Sequence, residues 1–304
     1  MSWVVDRWGV HTRLSAGITA RDRLREAIQC FSHQAVTRQV YAHTGWRCLE
    51  GKWHYLHPGL TDFQVSLPPP LDRYVLPLTP EDVPDALRRS LSLLEIGPDE
   101  ILLPLMACTF LAPVSTFLPP DFVLFLVGQT GSLKSTLAAL FLSHFGRFDR
   151  TCLPASWEST DNALERRLFT LKDTLCVIDD YAPRADVYAQ RQLVQRAQRI
   201  IRAVGNRSGR ARLQADLSER PEYPPRGLVF STGEDLPPGQ SILARLLPLQ
   251  IDRDQLDSQR LSRLQVHTHR LPHAMAGYLQ WLAPQLEEFS TLLPQAWRDS
   301  RQEV

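Results

Sequence analysis

The chain has 304 residues, a net charge of +1, 43% apolar and 22% charged residues, the composition of a soluble globular protein. That length suits two domains or one α/β core with an appendage, and the even charge excludes a global nucleic-acid signature, so any basic surface must be local. The five cysteines (Cys30, Cys48, Cys108, Cys152, Cys176) are odd in number and form no CxxC pair, which argues against a zinc site or a disulfide frame and places the chain in a reducing cytoplasm.

In chain order, the first residues do not read as a signal peptide. An arginine-rich stretch over 20–31 carries Leu24, Ala27, Ile28 and Phe31 on one helical face. From residue 36 to 78 the texture changes to short β-prone runs (37–43, 46–49, 52–56 and 63–67) separated by turn residues, which predicts a small antiparallel sheet. Its aromatics and histidines (His43, Trp46, Trp53, His54, Tyr55, His57) read either as that sheet's core or as a base-stacking surface. The proline-rich stretch 68–80 reads as a linker. Residues 1–80 are therefore expected as a helix plus a small β region, and 81–120 as a helical connection. Residues 101–118 are uncharged, but Pro104 and Pro113 interrupt them, so a buried helix is expected rather than a membrane span.

The apolar run 122–127 then ends in Gly128, Gln129, Thr130, Gly131, Ser132, Leu133, Lys134, Ser135 and Thr136, and a helical pattern follows. A buried strand, a loop of small residues and a helix N-terminus suit a polyphosphate. Backbone N–H groups cradle it, Lys134 reaches its outer phosphates, and the Ser135 hydroxyl serves Mg²⁺. Of 34 basic residues only Lys52, Lys134 and Lys172 are lysine, so the loop holds a compact ammonium in a chain that otherwise writes its cations as arginine. The pattern departs from a Walker A motif at Leu133, where glycine is usual, and Gly131 or Ser132 is expected to provide the close backbone approach instead.

A second apolar run, 174–178, delivers Asp179 and Asp180 at its carboxyl end, as a Walker B motif requires. Asp179 is expected to hold Mg²⁺ and Asp180 to orient the attacking water, on a strand adjacent to that of the phosphate loop. Between Asp186 and Asp216 there is no acid, and Arg191, Arg196, Arg199, Arg202, Arg207, Arg210 and Arg212 stand uncompensated along an amphipathic helix and a flexible loop. They read as a phosphate-backbone contact, with Arg207, Arg210 and Arg212 in the loop 205–212, or else as a solvated face or subunit contact. A third strand, 226–232, stands where such ATPases have a sensor strand beside that of the acids, so Thr232 is expected near the terminal phosphate. Arg245, with Arg226 as second choice, stands where a ring ATPase keeps an arginine that reaches its neighbour's nucleotide. The core is thus expected over 121–251, and the polar helical tail 252–304 as a lid.

With these phrases assembled, the chain resembles a family of ATPase domains of unknown function found at the C-terminal end of mobile-element and phage primases, which is itself similar to superfamily-three and other AAA+ replicative helicases. The resemblance rests on Gly128-Gln-Thr-Gly-Ser-Leu-Lys-Ser135, Ser159-Thr-Asp-Asn-Ala-Leu-Glu165, Pro225-Arg-Gly-Leu-Val-Phe-Ser-Thr-Gly-Glu234, Arg245, and the Tyr41–Leu56 phrases. It implies an α/β P-loop NTPase core with a parallel sheet, ATP and Mg²⁺ as ligands, ATP hydrolysis, single-stranded DNA as partner, and assembly as a homo-oligomer, commonly a hexamer, alongside a primase. No primase module fits upstream, so the ATPase part alone or a stand-alone relative is expected. A nucleotide-gated DNA-binding module and a P-loop small-molecule kinase are the rival readings.

Overall fold

Short β-prone runs and long apolar runs end in different sheets of this molecule. The computed structural model describes residues 17–31, 38–209 and 221–302. Contacts divide the chain into Met1–Gln39 and Val40–Val304. In the first unit, helix α1 (Ala20–Phe31) forms on the expected period, with none of its residues buried.

In the second unit, β1 (Val40–Tyr41) pairs with β4 (Gln64–Val65) in parallel, while β2 (Gly45–Leu49) and β3 (Lys52–Leu56) form an antiparallel hairpin. The single antiparallel sheet expected here is therefore two separate pairs. Such a hairpin is marginal by itself, and what holds it is a buried carboxylate. Asp173 accepts hydrogen bonds from Trp46 N (3.0 Å), the Thr116 hydroxyl (2.6 Å) and Lys172 Nζ (2.6 Å). Tyr55 donates its hydroxyl to Asp173 O at 2.6 Å, and Trp46 Nε1 donates to Pro113 O at 2.8 Å. Trp46 and His57 are buried, and Trp53 and Tyr55 are partly buried against the core.

The expected linker is also packed: Leu71, Tyr74 and Leu76 are buried, and the Tyr74 hydroxyl donates to Leu175 O at 2.9 Å. The apolar residues spaced among its prolines explain why it lies on the core rather than swinging free. Helix α2 (Val83–Leu91) starts at Asp82, whose side chain accepts from Asp85 N, an N-cap bond that satisfies one orphan donor. Helix α3 (Asp99–Leu111) follows, largely buried despite Pro104.

The large sheet comprises β5 (Val123–Val127), β6 (Ala155–Ser156), β7 (Leu175–Tyr181), β8 (Leu228–Gly233) and β9 (Leu246–Gln250). All pairs are parallel, in the order β6-β7-β8-β5-β9. Every residue of β5 and β8 is buried, as a parallel sheet covered on both faces demands. The covering helices are α4 (Lys134–Leu142), α5 (Asp161–Thr170), α6 (Val187–Asn206) and the short α7 (Gln240–Leu243). The tail forms α8 (Ser258–Gln265), α9 (Leu271–Leu282) and α10 (Leu286–Gln302). Among the described residues, no helix is long and apolar enough to cross a membrane.

Candidate functional site

Where β5 ends, the chain leaves the sheet at Gly128 through a gap that admits no side chain: a Cβ there would lie 2.0 Å from Ile251 O. Gly128 is thus required by packing against Ile251. Gly131 has φ 90 and meets nothing nearer than Arg253 Nε, 3.6 Å from a built Cβ. Leu133 itself adopts φ 63, ψ 20 as the residue that opens α4, a left-handed conformation costing roughly 1–2 kcal/mol for a residue with a side chain. Ser132 is buried, and its hydroxyl donates to Gln129 O at 2.8 Å.

Lys134 Nζ donates to Gly128 O (2.7 Å) and Gln129 O (2.8 Å), holding the ammonium over the loop. Partial burial lowers its pKa, while the Glu234, Asp179 and Asp180 carboxylates oppose that shift. One turn into the site, Ser135 Oγ donates to Asp179 Oδ1 at 2.8 Å. Thr232 donates its hydroxyl to the same oxygen, and Asp180 N donates back to Thr232 Oγ1 at 3.2 Å. The motifs alone predict adjacent strands for the loop and the acids; instead β8 lies between β5 and β7, and Thr232 is the bridge.

The β7–β8 register breaks between Ile178 and Tyr181, and Asp180 takes φ 67. This bulge turns the Asp180 side chain out of the pleat into solvent. Burial raises its carboxyl pKa, with the Asp179 and Glu234 charges adding to the shift and Lys134 opposing it. One further acid faces the site without a role that spacing could assign. The Glu234 carboxylate accepts a hydrogen bond from the Thr130 hydroxyl, and Arg253 Nε donates to Thr130 O at 2.9 Å. The phosphate loop is therefore clasped from two strand ends. The visible signal was the Ser231-Thr-Gly-Glu234 phrase itself.

The donor set fits the expected ligands. A hydroxyl and a carboxylate joined at a helix N-terminus suit Mg²⁺, which binds through one or two protein oxygens plus substrate phosphates and water. Among the described residues, no group of three or more His, Cys, Asp or Glu could hold a metal by itself. Thr136 lines a neighbouring cavity of about 670 Å³, together with Leu133, Asp149 and Leu261.

The arginines separate. Arg245 lies at the opposite, amino end of the sheet: its carbonyl accepts from Val123 N at 2.9 Å. Its guanidinium is exposed and donates to Ser241 O (2.7 Å) and Asn206 Oδ1 (3.1 Å). It crosses α6 at Gly205, where a Cβ would come within 2.6 Å of Arg245 Cδ. Arg226 is packed inside, with Nε donating to Phe169 O at 2.6 Å and its guanidinium 3.7 Å over the Phe169 ring. Burial brings its pKa down to about 10. Arg207 does not project as a free loop cation. It ends α6 with φ 50, is half-buried, and donates to Pro120 O at 3.1 Å. Arg210 and Arg212 lie outside the described residues. Two of the arginines expected to be uncompensated are paired, Arg196 at 3.0 Å and Arg199, both with Asp161. The compensating acid comes from α5, which no reading confined to α6 could supply.

Residues 95–216 match the family model of a domain of unknown function, DUF927; that span holds the phosphate loop, Asp179 and Asp180 but ends before Thr232 and Arg245. No curated protein matches the chain. The solved structure described as SCCmec type IV Cch, an active helicase, aligns with 16% identity and a TM-score of 0.57 over 94% of this chain and 55% of its own. The C-terminal region of NrS-1 aligns with 11% identity and a TM-score of 0.42, over 84% of this chain and 60% of that one. JCV helicase aligns with 15% identity and a TM-score of 0.38, over 71% and 62%. At 16% identity the likeness to the first is one of fold, and this chain spans only 55% of it. The α/β class with a parallel sheet expected from the sequence is the fold observed, and a helicase shares it.

Proposed function

We propose that this chain is the ATP-hydrolysing motor domain of a ring-forming enzyme that acts on single-stranded DNA, as a helicase of a mobile element or phage working beside a primase. The observation that carries the reading is the contact of Ser135 with Asp179 beside Lys134, a hydroxyl, a carboxylate and an ammonium brought together from α4 and β7. Gly128 to Thr136 would wrap the phosphates, with backbone N–H groups and the α4 dipole facing negative charge. Ser135 and Asp179 would hold Mg²⁺, which when bound neutralises charge on the phosphates. Lys134 would sit on the outer phosphates, and Thr232 fixes the Asp179 carboxylate from the intervening strand.

Arg245 would act across a subunit boundary. It stands at the sheet end opposite its own loop, so it can serve only a neighbour's nucleotide, and a ring of copies, a hexamer in the reading favoured here, supplies that neighbour. Arg210 and Arg212 would contact the phosphate backbone, whereas Arg207, bonded to Pro120 O, would shape the loop's base. The test is steady-state ATP turnover, with and without single-stranded DNA, in the wild-type chain and in Lys134→Ala. The wild type hydrolyses ATP faster with DNA, and Lys134→Ala loses at least ~100-fold of turnover together with nucleotide binding, because it removes the one ammonium aimed at the phosphates. Wild-type turnover in Lys134→Ala overturns the assignment.

A further inference from the structure

The acids at the carboxyl end of the sheet are not equivalent, and the difference reassigns a step. Asp180 is the shorter side chain. It sits on a left-handed residue at a bulge, and its carboxylate accepts no hydrogen bond from the phosphate loop. Glu234 is longer and starts from β8, the strand next to that of the loop. Its backbone is fixed at both ends of the preceding residue. Glu234 N donates to Tyr181 O at 2.8 Å, and Gly233 is wedged so tightly that a Cβ would lie 2.7 Å from the same Tyr181 O. From there the carboxylate reaches the Thr130 hydroxyl at the loop's outer turn. Its charge also acts on both the Lys134 ammonium and the Asp180 carboxylate. It therefore faces the place where the terminal phosphate of a bound nucleotide must lie, between the lysine and the outer turn of the loop.

Resting on the ATPase reading above, we propose that Glu234, not Asp180, is the catalytic residue that binds and deprotonates the attacking water. The water oxygen forms a bond to the terminal phosphorus as one of its protons passes to a Glu234 carboxylate oxygen. The bond from that phosphorus to the bridging oxygen breaks, and its electron pair leaves on ADP. The proton then passes from Glu234 to solvent with the released phosphate. The departure at Asp180 is thus made good from the neighbouring strand: the acid–glutamate pair exists in space, as Asp179 with Glu234, although the sequence separates its members. The Thr130 hydroxyl, donating to one carboxylate oxygen, leaves the other to accept from water and holds the side chain in one rotamer.

The experiment compares Glu234→Gln, Glu234→Asp, Asp180→Asn and Thr130→Ala in the full chain, reading equilibrium ATP binding, KM and kcat separately. Glu234→Gln keeps ATP affinity and KM within about threefold and loses at least ~100-fold in kcat, the range for a missing general base. Glu234→Asp recovers part of that loss, and Asp180→Asn loses about tenfold or less. If Glu234 served only to tether the loop, Thr130→Ala would reproduce the Glu234→Gln defect; a loss of only a few-fold is expected instead. Near-normal kcat in Glu234→Gln with an inactive Asp180→Asn overturns the proposal while leaving the ATPase reading intact. Full turnover in Lys134→Ala would sink both.

Discussion

The two ends of the parallel sheet are built on opposite principles. At the amino end, charged groups are turned inward and bonded: Asp173 takes three side-chain or backbone donors, Arg226 lies over Phe169, and Arg207 holds Pro120 O. At the carboxyl end, Asp180, Glu234, Thr130 and Leu133 stand exposed around a loop whose own polar groups satisfy one another only locally. The first end spends its polar residues on fixing a hairpin and a proline-rich strap to the core. The second leaves its polar residues available to a ligand and accepts backbone strain at Leu133 and Asp180. Bonded, inward-turned charges thus gather at one end of the sheet and exposed polar groups at the other, with the exposed Arg245 the exception at the amino end.

The sharpest way to break this comparison is at Asp173. Asp173→Ala removes the acceptor from Trp46 N, the Thr116 hydroxyl and the Lys172 ammonium at once. Leaving the buried Trp46 N–H without an acceptor and the half-buried Lys172 ammonium without its carboxylate costs about 3 kcal/mol in all. Urea unfolding should show that loss, while nucleotide affinity of the folded fraction stays as in the wild type. A loss of nucleotide affinity at equal folded fraction would show that the two ends are not separable.

Acid probes the same side more gently. His57 and His144 are buried, and burial lowers each pKa to about 4. His57 accepts from Gly59 N and Leu76 N, and His144 bonds Ser90 and Phe141 O. Both are neutral in the fold and take up protons on unfolding, since their folded pKa lies below the unfolded value. Their contribution is complete above about pH 6.5 and is lost as pH falls toward 4, on the order of 2 kcal/mol per histidine by pH 5. Chemical denaturation at pH 7 and pH 5 measures it, and Ser90→Ala should leave the slope of that pH dependence in place because burial, not this bond, is the cause.

The smallest effect is expected at the open end. Leu133→Gly removes the left-handed penalty but adds unfolded-chain entropy and gives up some side-chain contact, a net stabilisation of about 0.5 kcal/mol. A fall in unfolding midpoint for this variant would mean that the leucine side chain, rather than the backbone it distorts, matters at that position.

The large sheet was legible because its apolar runs are uniform and each ends in residues with chemical meaning: Gly128 to Ser135, Asp179, and Ser231 to Glu234. Local signals sufficed for these. Relations across the chain were not legible. Spacing cannot tell that β8 inserts between β5 and β7, that Asp161 on α5 neutralises Arg196 and Arg199, or that Asp173 anchors a hairpin more than a hundred residues earlier. The role of Glu234 belongs to this second class, since only the sheet order brings it to Thr130. Leu133 is a different case: the motif prefers glycine for its backbone freedom, and here the backbone is kept while the residue is not.

Helix α6 joins the two edges that the sheet keeps apart. It is capped at Asp186 shortly after Asp180 and runs 20 residues without interruption to Asn206, which holds Arg245. At 1.5 Å per residue that is a rod of about 30 Å. In the proposed ring, the spacing between the acids of β7 and the arginine proposed to serve a neighbour would follow the length of this helix. A tilt of α6 becomes a displacement of Arg245 at its far end, and the short segment 182–186 is what links the helix to the strand of the acids.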